Sequence, residues 1–259
     1  MTSCQPFSID VPEKTLQDVR ARVAAYPWHE MPDDGGWNYG TNLDYMRELA
    51  DYWVNEFDWR KQEAEINRFP HFKAKVNGID LHFIHEIGSG SSPTPLIISH
   101  GWPGTIVEFK HIIEPLAHPE RFGGNEKDAF DVVVVSIPGV GFSEAPDEIE
   151  SLRQVGNRYH KLMTEVLGYD RYITHGGDQG AVTASWMARD FPDAVIGHHV
   201  HMFYPRHPAS PWLSGEAGPK PTEAERDWVA AEAQGPFNQL AYILTHVARG
   251  ETLAASVAD

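Results

Sequence analysis

The sequence predicts an α/β fold: a mostly parallel sheet covered by helices, with a helical extension in front and a partial helical cap behind. Three observations carry that prediction. Short, dense apolar runs recur at 95–100 (PLIISH), 130–138 (FDVVVVSIP), 171–177 (RYITHGG) and 194–201 (AVIGHHVH). Amphipathic stretches near 105–117, 151–167 and 180–190 separate them. Strands buried on both faces read as such runs, and their alternation with helices makes neighbouring strands parallel. Ahead of them FKAKV and DLHFIHEI alternate about Asn77-Gly78, a two-residue hairpin signal.

The elements follow in order. Residues 12–26 read as a helix: Pro12 suits a first turn, Leu16, Val19, Val23 and Tyr26 recur at helical spacing, and Pro27 ends the run. After a loop at 32–42, a second helix is expected over 43–58, with Met46, Leu49, Trp53 and Phe57 on one face and Thr41 or Asn42 as its cap. No strand is expected in this front segment, which makes 1–68 a helical extension, 69–203 the core and 204–259 the start of a cap. Residues 204–222 are rich in Pro, Gly and Ser, and 222–247 read as helical with Thr222 as a cap. No strand signal follows residue 203, so the last seen strand is expected to be a hydrophobic edge.

Charge and cysteine usage exclude several classes of function. A formal net charge of −16, with basic residues scattered, repels nucleic acid and anionic lipid. Cys4 is the single cysteine, so neither a disulfide framework nor a cysteine zinc site is available. The start MTSCQPFSIDVPEKT does not read as a secretory signal, and the apolar runs fall far short of the ~20 residues that span a bilayer. These features predict a cytoplasmic protein without a transmembrane segment.

Three loops leave strand ends with unusual sequences: His100-Gly101-Trp102-Pro103-Gly104, the stretch 138–146 (PGVGFSEAP), and Gly176-Gly177-Asp178-Gln179-Gly180. Right-handed crossovers place such loops on one edge of a parallel sheet, where ligands bind. The third fits a sharp strand-to-helix turn, which needs small residues two before and two after the central one. Gly176 and Gly180 fill those places and lift Asp178 to a helix N-terminus, where an anion is stabilised. An aspartate there suits attack on an sp³ carbon to give an ester. The plainer reading is a helix cap. The first loop shifts the balance, because an oxyanion site needs two backbone amides, and Trp102 and Gln179 are placed to supply them.

FPHFKAKVNGIDLHFIH, HGWPG, IPGVGFSEAP and GGDQG together resemble the microsomal-type epoxide hydrolase family of α/β hydrolases. FDWRKQEAEINRFPHF at 57–72 is similar to the extension of that branch. The resemblance implies conversion of a small apolar epoxide to a vicinal diol, with neither metal nor organic cofactor. Asp178 would open the ring, a histidine oriented by an acid would activate water, and two cap tyrosines would assist the leaving oxygen. The likeness is incomplete. The family's acid and histidine follow its last two core strands, which are absent from this sequence, and impaired turnover is therefore expected. Ala230 stands where the first tyrosine belongs, ahead of Ala233-Gln234, and Tyr242 resembles a packing position. His246 lies in a helical stretch, and Gln179 replaces the usual Trp while keeping the needed amide.

Two other functions remain open in the sequence: a dehalogenase using the same aspartate, and a truncated or inactive paralogue that binds apolar ligands. His198, His199 and His201 suggest a metal, but on a strand only 199 and 201 share a face and no carboxylate is near, so hydrogen-bonded strand histidines are expected.

Overall fold

The computed structural model describes residues 4–29, 36–38, 40–202 and 222–233. Its contacts fall into two units, Met1–Phe203 and Tyr204–Asp259. In the first, the strands are β1 (Gln5–Phe7), β2 (His71–Val76), β3 (Ile79–Glu86), β4 (Thr94–Ser99), β5 (Phe130–Val135), β6 (Tyr172–Gly176) and β7 (Val195–Val200). The helices are α1 (Glu13–Ala24), α2 (Leu43–Asn55), α3 (Trp59–Ile66), α4 (Ile113–Ala117), α5 (Leu152–Lys161) and α6 (Gln179–Asp190). Among the described residues they build one sheet in the order β1-β2-β3-β5-β4-β6-β7. β5, β4, β6 and β7 run parallel, while β1, β2 and β3 join antiparallel. β7 closes the sheet on one side, with Ile196 exposed.

The apolar run of β5 shows why these strands lack polar alternation. Val133 and Val135 join Phe83, Ile97, Tyr159, Met163 and Met187 on one face of the sheet. Val132 and Val134 join Ile84, Ile98, Ile66, Phe109 and Ile113 on the other. Side chains alternate across a strand, so a strand covered on both faces is apolar throughout. The hairpin turn also follows its residues: Asn77 and Gly78 have φ of 47° and 90°, the left-handed pair for which Asn-Gly is favoured.

The front segment differs from expectation. It contains β1, whose Gln5 and Phe7 pair with Lys73 and His71. Three residues centred on Pro6 give no alternation to read, and proline is tolerated on an edge strand. The second helix stops at Asn55, short of 58. There the amides of Glu56 and Phe57 share the Tyr52 carbonyl, and the Asp58 carboxylate starts α3 by accepting from the Lys61 amide at 3.1 Å. From α3, Glu63 accepts from the Val11 amide at 2.8 Å, and Asn67 beyond it bonds both backbone groups of Ile9. In contrast, α1 and α2 bury no residue at all. Between them lies a cleft of about 520 Å³, lined by Leu16, Val19, Leu49, Trp53 and Phe57 among others.

Two histidines on the hairpin are buried in a directional chain. His71 Nε2 lies 3.0 Å from the Ile66 carbonyl, which only accepts, so that nitrogen carries the proton. His71 Nδ1 then accepts from His82 Nε2 at 3.0 Å, and His82 Nδ1 accepts from the Ser136 hydroxyl at 2.8 Å. Both rings are neutral in this arrangement. Burial, with help from His71 and Lys73, pushes His82 down to about 3.

In the second unit α7 (Glu223–Ala233) opens with a reciprocal cap. Thr222 Oγ1 accepts from the Glu225 amide at 3.3 Å, and the Glu225 carboxylate accepts from the Thr222 amide at 2.7 Å. The remainder of the expected 222–247 helix lies outside the described residues, as do 204–221, Gln234, Tyr242 and His246. Among the described residues no helix is long and apolar enough to cross a membrane.

Candidate active site

Strand register brings the three loops to one level. Ser99, the last residue of β4, pairs with Val135 on one side and Gly176 on the other, so the chain leaves β4, β5 and β6 along a single edge. Asp178 sits between β6 and α6 at φ 49° and ψ −124°. A non-glycine residue held there is strained by about 1–3 kcal/mol, which the surrounding structure must impose. Close backbone packing does so. A Cβ on Gly176 would fall inside contact distance of the Gly180 carbonyl, and one on Gly180 would collide with the Ser99 oxygen.

The Asp178 carboxylate does not serve its own helix. It occupies the N-cap position of α6 but makes no side-chain cap bond. Instead Oδ1 accepts from the Trp102 backbone amide at 3.1 Å. Gly101 permits that approach, because a Cβ on it would run into the Asp178 side chain. Oδ2 has no hydrogen-bond partner among the described residues, and the residue is half-buried. Gln179 is the first residue of α6, and among the described residues its amide makes no hydrogen bond to the carboxylate. The Trp102–Pro103 peptide is cis, and both side chains are exposed.

His100 is buried at 1% exposure between two of the loops. Its Nε2 accepts from the Ile137 amide at 3.2 Å, and its Nδ1 lies 2.9 Å from the Gly101 carbonyl. Burial lowers its pKa.

The structure adds one cluster that the sequence did not reveal. His175, three residues before the aspartate, has Nδ1 2.7 Å from His199 Nδ1 and its ring centroid 5.5 Å from that of His201. The His201 ring lies against Gly177, whose missing Cβ leaves it room. Burial, with the neighbouring histidines, pushes His175 down to about 4. His198 points the other way, to Thr174 at 3.0 Å and Ser185 at 3.3 Å, as strand alternation predicts. The pairing of His175 with His199 depends on the β6–β7 register, which no local pattern encodes. Among the described residues, no group of three or more His, Cys, Asp or Glu is placed to hold a metal ion.

Comparison with known proteins bears on the fold and the relatives of the chain. Residues 94–212 match the alpha/beta hydrolase fold family, and residues 4–109 match the family of the epoxide hydrolase N terminus. By fold the protein is thus an α/β hydrolase. Within that class, the N-terminal match and the similar proteins are those of epoxide hydrolases. Epoxide hydrolase 1 of Sus scrofa is 36% identical over 205 residues, covering 77% of this chain and 45% of the relative. The crystal structure of juvenile hormone epoxide hydrolase from the silkworm Bombyx mori is 31% identical, with a TM-score of 0.71 over 78% of this chain and 53% of that one. The Aspergillus niger epoxide hydrolase structure is 27% identical, with a TM-score of 0.81 over 98% of this chain and 66% of that one. The chain spans about half the length of the curated relatives it matches.

Proposed function

We propose that this chain carries the ring-opening step of an epoxide hydrolase, with Asp178 as the nucleophile and a small apolar epoxide as the substrate. The observation that carries this reading is the division of labour on one carboxylate. Oδ1 rests on the Trp102 amide, while Oδ2, at a strained turn, has no hydrogen-bond partner among the described residues. Oδ2 attacks a ring carbon, the ring C–O bond breaks, and its electron pair goes to the ring oxygen, which takes up a proton. An ester is left on Asp178. Water then adds to the ester carbon, and the negative charge gathers on Oδ1 against the Trp102 amide, with the Gln179 amide as the second donor. Collapse releases the vicinal diol and restores the carboxylate, consuming one water in all.

The second half needs a base. Among the described residues no histidine ring is hydrogen-bonded to Asp178, and Ala230 occupies the place where the resemblance expects an acid-assisting tyrosine. General acid–base assistance is worth about 10²–10⁴-fold per step. Without that assistance the ester is expected to persist.

The test is intact-protein mass spectrometry after exposure to styrene oxide. The expected result is one added epoxide mass on the wild type, absent from Asp178→Asn, with little diol released. Absence of an adduct together with absence of diol would leave only a non-catalytic binding role. Halide release from a haloalkane without reaction at the epoxide would mark a dehalogenase.

A further inference from the structure

We infer that His100 is a positioning residue: it aims the Trp102 amide at the Asp178 carboxylate by holding the opposite end of the same peptide group. This rests on the reading of Asp178 as the nucleophile. The Ile137 backbone amide can only donate, so His100 Nε2 must present a lone pair to it at 3.2 Å. The neutral ring then carries its proton on Nδ1, which donates to the Gly101 carbonyl at 2.9 Å. That carbonyl and the Trp102 N–H belong to one planar peptide unit and point in opposite directions. With its oxygen tied to His100, the unit delivers its N–H to Asp178 Oδ1 at 3.1 Å.

The tether has a job because of its neighbour. Gly101 must lack a Cβ for Asp178 to approach, and a glycine leaves the adjoining peptide unit rotationally soft. His100 removes that softness without adding bulk at the aspartate. Hydrogen bonding at the carbonyl also polarises the peptide, which strengthens the N–H as a donor. Through Ile137 the ring is referenced to the loop after β5, so the first two strand-end loops together set the direction of a bond that ends on the third.

Two substitutions separate this role from simple packing. An asparagine places its amide near the position of Nδ1, whereas a glutamine reaches the position of Nε2. His100→Asn therefore keeps the Gly101 contact and loses the Ile137 contact, and His100→Gln does the reverse. Losing a whole oxyanion donor costs about 10²–10³ in rate, so a misaimed one is expected to slow hydrolysis of the Asp178 ester, followed by mass spectrometry of pre-labelled protein, by about ten- to hundredfold. That slowing is expected in His100→Gln, with His100→Asn within a few-fold of wild type and both variants melting at similar temperatures. Equal slowing in the two, tracking their melting temperatures, would overturn the proposal. A second readout is independent of reactivity: hydrogen exchange of the Trp102 amide in protein labelled with ¹⁵N-tryptophan. Exchange is expected to accelerate in His100→Gln and to stay near wild type in His100→Asn. An unchanged Trp102 amide in His100→Gln would sink the tether. Failure of wild-type protein to react with any epoxide, with the exchange pattern intact, would count against the proposed reaction alone.

Discussion

The strand-end edge and the α1–α2 pair sit in one unit of the chain and are built on opposite principles. At the edge, glycines at 101, 176 and 180 bring backbone within a distance that a single methyl group would violate. In the extension, α1 and α2 bury no residue, and Leu49, Tyr52 and Trp53 remain exposed beside a cleft. The edge is over-determined, as a strained aspartate requires. The helical pair is under-determined: Glu63 and Asn67 tie down Val11 and Ile9 ahead of α1, and Glu13 in α1 accepts from Arg60 at 3.2 Å. Close packing is concentrated where a carboxylate must be held out of its preferred conformation.

Three perturbations sharpen that contrast. The largest effect is expected from Gly180→Ala. The new methyl would meet the Ser99 and His100 carbonyls, which belong to β4 and the loop leaving it and have no side-chain freedom to yield. Overpacking of this kind costs about 3 kcal/mol or more, and urea denaturation should show it together with loss of Asp178 labelling. A loss under about 1 kcal/mol would mean that the edge is softer than its geometry implies.

Acid gives the next effect. His82 is held near 3 in the fold, well below its ordinary 6.5, so the unfolded chain binds more protons than the folded one between those values. Stability is therefore full above pH 6.5 and falls as pH drops toward 3, by about 1.4 kcal/mol per pH unit for this residue. Denaturation measured between pH 7 and 5, where carboxylates contribute little, checks the sign. Stability that stays flat there would contradict the neutral His71–His82 chain. The smallest effect is expected from Leu49→Ala in α2, about 1 kcal/mol, because a side chain 39% exposed beside an open cleft forfeits only part of the burial term and leaves no enclosed cavity. A loss as large as that of Gly180→Ala would erase the distinction between the regions.

The same contrast explains what the sequence reveals. Elements whose local pattern is dictated by tight burial are legible: the β5 valines, the Asn77-Gly78 turn, and the Gly176 and Gly180 frame around Asp178. Elements specified by distant partners are not. β1 is three residues with a proline and exists by pairing with β2. α3 is eight residues with few apolar anchors, fixed through Glu63 to the amide of Val11. His175 meets His199 only once β6 and β7 are in register. His100 is visible as a motif residue, but its two bonds, to its own neighbour Gly101 and to Ile137, emerge only when β4 and β5 end side by side.

The most direct measurement is to locate the adduct. Protein pulsed with styrene oxide, digested and sequenced by tandem mass spectrometry should carry the added mass on the Asp178 carboxylate. An adduct on His175, His199, His201 or Cys4, with Asp178 unmodified, would contradict the assignment of that carboxylate as the reacting group.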